Sequence, residues 1–196
     1  MGTEYEIELE RSSSHLVEGR IVKKRTGHKE PRVKVTLVQA IPKGFRMDYL
    51  VEKATELGVN RVIPVISARS QVFPDGDSKV RRWQRIALSA MKQSGRSLLP
   101  MVDRVTRLED LLQSMPGRDL FLIALERGGN KLKEVMMEGI EKVLLLVGPE
   151  GGFAAPEVKL ATEMGAVPVS LGERVLRSET AGIALLALLL YEVGDL

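Results

Sequence analysis

The densest chemistry in the chain lies in the run LRSET, where Arg177 and Glu179 flank Ser178 ahead of a long apolar segment. Ser178 is placed to cap a helix there, and Glu179 suits the positive end of a helix dipole. Arg177 opposes that dipole, so its charge must answer an anion: Glu150, Glu179 or a ligand. Two further stretches join it, ALERGG (Ala124–Gly129) and GPEGGF (Gly148–Phe153), each directly after an apolar run. Glycines in such turns let backbone approach a ligand closely. GPEGG lacks the Gly-Lys-Ser/Thr ending of a Walker loop and the G-x-G-x-x-G spacing of a dinucleotide fingerprint. Glu150 would also repel phosphate, so a neutral or cationic ligand fits better than a polyphosphate tail. One glycine turn is explained by backbone geometry alone; three of them, after three apolar runs, point to a site.

Those turns need strands to carry them. DLFLIAL (Asp119–Leu125), KVLLLV (Lys142–Val147) and AVPVSL (Ala166–Leu171) are unbroken apolar runs, as in parallel strands covered on both faces. Helical segments near Leu132–Met137 and Pro156–Met164 separate them. Upstream, RMDYLVEKATEL reads as a helix stopped by Gly58, and RVIPVI as a short buried strand. SKVRRWQRIALSAMKQSG is the clearest helix, with Ser78 as its expected N-cap and Gly95 as its stop. Val80, Trp83, Ile86, Ala87, Ala90 and Met91 share one face at helical spacing, and Arg81, Arg85 and Lys92 the other. The last segment, TAGIALLALLLYEVG, is apolar on nearly every side and too short for a bilayer, so it reads as a buried helix with one side on a partner subunit. EYEIELE and VKVTLV alternate like strands, with KKRTGHKEPR between them as a loop. The whole is an α/β domain with a mostly parallel sheet, preceded by a β-rich segment over residues 1–38.

The chain has 196 residues, 44% of them hydrophobic and 4% aromatic, which supports an aliphatic core. Zero cysteines exclude disulfides, thiolate metal sites and cysteine nucleophiles, and no metal is expected. No apolar run approaches the roughly 20 residues of a membrane span, and the charged N-terminus is unlike a signal peptide. A cytoplasmic protein is the simplest reading. Residues 61–107 carry ten Lys/Arg against three Asp/Glu, whereas 108–165 carry six against ten. Such asymmetry suggests a polyanion-binding surface on part of the molecule, with solvated helix faces as the plain alternative.

LLLVGPEGGF and LGERVLRSETA, with VEKATELGV (Val51–Val59), P-x-x-S-x-R-S (Pro64–Ser70) and the QSGR stretch ending at Arg96, resemble the RsmE family. Those proteins are SPOUT-class methyltransferases that use S-adenosylmethionine to methylate ring nitrogen 3 of a uridine in small-subunit (16S) ribosomal RNA. The similarity runs from about Leu37 to the C-terminus. It implies a SPOUT-type methyltransferase domain over residues 39–196, with a C-terminal trefoil knot in about 120–196, an exception to the rule against knots. It also implies a homodimer through the knot and C-terminal helix. The family opens with a PUA-like β barrel, of which residues 1–38 would be a shortened part, and this bears on RNA affinity and target choice.

On the same grounds the cofactor would be held by Leu125 and Glu126, by Gly148, Pro149, Glu150, Gly151 and Gly152, and by Leu171, Gly172, Val175, Leu176, Arg177, Thr180 and Ala181. Val175 and Leu176 would flank the adenine, and a carboxylate such as Glu150 is acceptable beside a sulfonium or as a partner for Arg174 or Arg177. The acceptor nitrogen must lose a proton, and the two histidines, His15 and His28, lie far from these motifs. That leaves Glu179 as base and Arg177 as the cation that stabilises the uridine anion; in a competing view Glu179 only orients Arg177. Arg69, Arg81, Arg85, Lys92 and Arg96 are the expected phosphate contacts, with Gln93 lining the target site. Trp83 reads as core rather than as a base-stacking platform. Two rivals stay open: a non-catalytic RNA-binding or ribosome assembly factor on this fold, and a SPOUT enzyme acting on another RNA.

Overall fold

The structure is a computed structural model that describes residues 3–26, 30–73, 77–114 and 117–196; His28 lies outside them. Two strands, β1 (Thr3–Ser12) and β2 (Val17–Thr26), pair antiparallel as a separate two-stranded sheet. The sequence reading had a loop begin at Lys23, but β2 runs on to Thr26. Its charged residues are cross-strand partners of the glutamates of β1: Arg20 Nη2 lies 2.7 Å from Glu8 Oε2, and Arg25 Nη2 3.3 Å from Glu6 Oε2.

The second sheet has seven strands, all paired in parallel. At its centre is β3 (Lys34–Ala40), with β4 (Arg61–Ile66) on one side. Two short strands, β5 (Met101–Val102) and β6 (Thr106–Arg107), both pair with β4. On the other side of β3 lie β8 (Lys142–Val147), then β7 (Leu120–Ala124), then β9 (Val167–Val169) at the edge. The expected boundary after residue 38 is therefore corrected. The VKVTLV strand belongs to the seven-stranded parallel sheet rather than to the N-terminal β segment, because it pairs with β4 and β8 at once.

Alternation along the central strands divides the core between two faces. Leu37, Leu122, Val143 and Leu145 face the layer of α1 (Arg46–Leu57), α2 (Ser78–Ser94) and α6 (Ser178–Glu192). Val38, Ile123, Leu144 and Leu146 face α3 (Leu108–Gln113) and α5 (Ala155–Glu163). A short helix, α4 (Leu132–Val135), completes the set. Helices on both faces explain why the strands read as continuous apolar runs rather than as alternating ones.

α1 and α2 end at Gly58 and Gly95, both left-handed at φ 107° and 67°, as the stop signals require. Ser78 is the first helical residue of α2 and Asp77 precedes it as N-cap, with no side-chain cap bond, which corrects the expected cap. Trp83 is buried, and its Nε1 donates to Asp48 Oδ1 at 3.0 Å, tying α2 to α1. On α6, Leu185, Leu186, Leu189 and Leu190 are buried while Leu188 and Tyr191 are exposed.

Candidate functional site

The chain builds the sheet outward from β3 through β4, then returns to add β8, β7 and β9 on the opposite side. Such a reversal opens a crevice at the carboxyl ends of the strands. A cavity lies there, lined by the segments after β7 (Ala124–Glu126), β8 (Gly148–Pro149–Glu150, Gly152, Phe153) and β9 (Leu171, Gly172, Arg174, Leu176), and by the start of α6. The three turns singled out in the sequence thus converge on one space.

Ten of the expected cofactor residues line this cavity: Leu125, Glu126, Gly148, Pro149, Glu150, Gly152, Leu171, Gly172, Leu176 and Ala181. Four lie outside its lining. Gly151 turns outward, its carbonyl accepting Arg69 Nη1 at 2.8 Å. Val175, Arg177 and Thr180 are exposed and absent from the lining, whereas Ser178, Ala181 and Leu185 face the cavity from α6. Ala124, Val147, Phe153, Val169, Arg174, Ser178 and Leu185 line it unforeseen. Most are inward-facing apolar residues that a sequence reads as core.

Close backbone contacts fix the walls. A Cβ at Gly129 would stand 2.5 Å from the Val169 carbonyl carbon and 2.7 Å from Ser170 N, so only glycine lets the β7 turn close on β9. Gly152 and Gly172 are left-handed at φ 65° and 102°. Ser178 does not cap α6. Its hydroxyl donates to the Gly148 carbonyl and accepts from Gln39 Nε2 at 2.8 Å. Gln39 Nε2 also donates to the Ala40 carbonyl at 2.9 Å. This buried chain of bonds ties the end of β3 to the end of β8 and the first turn of α6.

Glu150 is held by groups that sequence reasoning missed. Its Oε1 accepts from Lys43 N at 3.0 Å and from Arg46 Nη1 at 2.7 Å. Burial raises its carboxyl pKa, but the Lys43 and Glu150 amides and the Arg46 guanidinium outweigh that and hold it below the usual glutamate value. Arg46 therefore replaces the expected Arg174 or Arg177 partner. Arg46 Nε also lies 3.6 Å from Glu179 Oε1, and the Glu179 side chain is only 9% exposed. Glu179 Oε2 is buried with no hydrogen-bond partner among the described residues. Arg177 is exposed and forms no ion pair among the described residues, so it does not answer the carboxylates considered for it.

Of the expected RNA contacts, Arg69, Arg81, Arg85, Lys92 and Gln93 are exposed. Arg96 is buried, and that assignment is corrected. Its guanidinium donates to Glu30 Oε2 at 2.6 and 3.1 Å and to the Thr55 and Val59 carbonyls. Glu30 in turn accepts from Ser97 N and Leu98 N at 2.9 Å. Arg96 thus locks the end of α2 to the α1–β4 junction. Among the described residues no cluster of His, Asp or Glu is arranged to hold a metal ion, and no helix is long and apolar enough to cross a membrane.

The chain that builds this parallel sheet and the cavity at its reversal matches the RNA methyltransferase domain family over residues 28–190, which places it in the class of RNA methyltransferases. Similar curated proteins are the ribosomal RNA small subunit methyltransferases E of Mesomycoplasma hyopneumoniae, 36% identical over 85% of this chain and 73% of that protein, and of Bacillus subtilis, 32% identical over 97% and 78%. The crystal structure of the Neisseria gonorrhoeae methyltransferase E, bound to S-adenosyl methionine, superposes with a TM-score of 0.89 at 34% identity over 97% of this chain and 79% of that one. The chain belongs to the ribosomal RNA small subunit methyltransferase E family.

Proposed function

We propose that this chain is an S-adenosylmethionine-dependent methyltransferase that acts on ring nitrogen 3 of a uridine in small-subunit (16S) ribosomal RNA. The observation that carries this reading is the convergence of ALERGG, GPEGGF and LGERVLRSETA on one cavity at the carboxyl ends of β7, β8 and β9. The relative from Neisseria gonorrhoeae, which shares this fold throughout the chain, has been crystallised with S-adenosyl methionine.

The lining suits that cofactor. Leu125, Phe153, Leu171, Leu176 and Ala181 offer an apolar wall for an adenine, and Arg174 is the single basic residue in the lining. Glu126 and Glu150 at the rim tolerate a cation and disfavour a polyphosphate. When bound, the cofactor supplies an electrophilic methyl group on a sulfonium. The chain's own residues then position and protect. Glu179, buried and with one carboxylate oxygen that has no hydrogen-bond partner among the described residues, is the candidate acceptor of the N3 proton of uridine. Arg177, which has no ion pair among the described residues, answers the negative charge left on the uracil ring.

The remaining parts follow as proposals. The C-terminal part, about 120–196, is read as a SPOUT-type trefoil knot. The exposed Leu188 and Tyr191 on α6 support a homodimer through that region. The β1–β2 hairpin is read as part of a PUA-like RNA-binding segment, and its exposed Tyr5, Ile7 and Leu9 suit a piece of a larger β unit. Arg69, Arg81, Arg85, Lys92 and Gln93 form the RNA-facing surface, in a cytoplasmic enzyme whose partner is ribosomal RNA or the small subunit.

Transfer of labelled methyl to free ribosomal RNA and to assembled small subunits, with mapping of the modified base, tests the reading. Arg177→Ala is expected to keep cofactor binding by calorimetry and to abolish methylation. Equal loss of both would remove Arg177 from the chemistry.

A further inference from the structure

Arg46 is the first residue of α1, where a cation opposes the helix dipole. Its place there needs another reason, and the geometry supplies two anions. Arg46 Nη1 bonds Glu150 Oε1 at 2.7 Å, and Arg46 Nε lies 3.6 Å from Glu179 Oε1. Glu150 stands in the cavity wall and Glu179 in the first turn of α6. The two carboxylates come from segments 29 residues apart, and neither hydrogen-bonds the other. Glu179 is buried, its Oε2 has no hydrogen-bond partner among the described residues, and its one ion pair among them is with Arg46.

We propose that Arg46 is a positioning residue for methyl transfer, a bridge that holds the cofactor turn at Glu150 and the candidate base Glu179 in one register. The bridge rests on the function proposed above. It spans parts of the chain that otherwise meet through the buried Gln39–Ser178–Gly148 bonds. Those bonds fix the backbone, whereas Arg46 fixes the two side chains. Loss of the guanidinium leaves Glu179 buried with no opposite charge, and a buried uncompensated carboxylate turns toward water or takes up a proton. Either response removes it as a proton acceptor while the apolar walls of the cavity stay in place.

The test uses Arg46→Met, which keeps the stem and removes the charge, with Arg46→Lys as the conservative variant. Saturating S-adenosylmethionine and ribosomal RNA in single turnover are expected to show a rate about 30-fold or more below wild type, as befits loss of a proton-transfer group's positioning. Cofactor Kd by calorimetry is expected to change by about threefold at most, and Arg46→Lys to recover most of the rate. In free protein, hydrogen exchange is expected to quicken together in peptides covering residues 148–153 and 177–182, with β4 unchanged. Exchange that quickens in only one of those segments overturns the bridge, as does an unchanged rate or an equal loss of rate and affinity. Because the exchange comparison needs no substrate, failure of the bridge is distinguishable from failure of the proposed activity, which would show as wild-type protein that transfers no methyl group.

Discussion

Gly182 sits inside α6, where alanine would ordinarily stabilise a helix by about 1 kcal/mol. The structure gives the opposite sign. A Cβ at this position would stand 2.8 Å from Gln39 Oε1 and 3.1 Å from Leu50 Cδ1. A flexible side chain could swing aside, but Gln39 is fully buried and its amide nitrogen is committed to both Ser178 Oγ and the Ala40 carbonyl. Overpacking a core by one methyl group costs about 1–3 kcal/mol, so Gly182→Ala is expected to lose about 0–2 kcal/mol net of the helix gain. In a chain of this size that lowers Tm by as much as about 8 °C.

The same displacement should reach the cavity. Gln39 steadies Ser178, whose hydroxyl holds the Gly148 carbonyl. Thermal melts and cofactor calorimetry on Gly182→Ala should therefore show reduced stability and weaker binding together. A double-mutant cycle isolates the cause: with Gln39→Ala in place the nearer obstacle is gone and only Leu50 Cδ1 at 3.1 Å remains, so Gly182→Ala should become less destabilising. An increase in Tm for Gly182→Ala alone would refute the reasoning, since it would mean helix propensity outweighs a contact that the packing cannot relax.

Gly129→Ala is expected to be worse than Gly182→Ala in the same melts, because its Cβ would meet the Val169 and Ser170 backbone rather than a side chain. Arg96→Met should cost about 3 kcal/mol or more by leaving Glu30 without its ion partner, measurable by urea unfolding. Burial pushes the Glu30 carboxyl up, but bonds from Arg96, Leu98 N and Ser97 N bring it below its ordinary value. A carboxyl lowered on folding adds stability above its unfolded pKa near about 4.3, and that stability is lost as pH falls through the folded value. Glu30→Gln should accordingly flatten the acid limb of the stability curve. Charge reversal at Arg81, Arg85 and Lys92 should reduce the salt dependence of RNA binding by about one unit of slope per lost phosphate contact, and an unchanged slope would remove α2 from the interface.

Where sequence and structure agree, local physics is sufficient. α1 and β4 fall where the periodicity places them, because an amphipathic stripe and a left-handed glycine are local signals. β2 was missed because its strand character rests on cross-strand charge pairs, which only the fold brings together. The charge of Arg96 suggested RNA, yet its position at the end of α2 places it against two open carbonyls and Glu30. The segments that build the cavity were legible as glycine turns after apolar strands. Its inward-facing Val147, Val169 and Leu185 were not, since the same aliphatic residue serves a core or a cavity wall. Arg46 was invisible for a different reason: 104 residues separate it from Glu150, and no pattern around either residue announces the pair.

That pairing changes what the carboxylate in GPEGG means. Read alone, Glu150 had to justify itself against the ligand, as a tolerated neighbour of a sulfonium. In the fold, one of its oxygens is already committed to the Lys43 amide and the Arg46 guanidinium. Its negative charge is therefore largely answered within the protein, and what it gives the cavity is a fixed wall rather than a bare anion. The exclusion of phosphate then rests less on Glu150 than on the composition of the rim, where carboxylates from Glu126 and Glu150 face a single basic residue, Arg174. Arg177, exposed and without an ion pair among the described residues, is the cation that the proposed mechanism assigns to the uracil ring. Within the fold, then, the charge of Glu150 is answered by one backbone amide and one guanidinium, both from the β3–α1 connection and the start of α1.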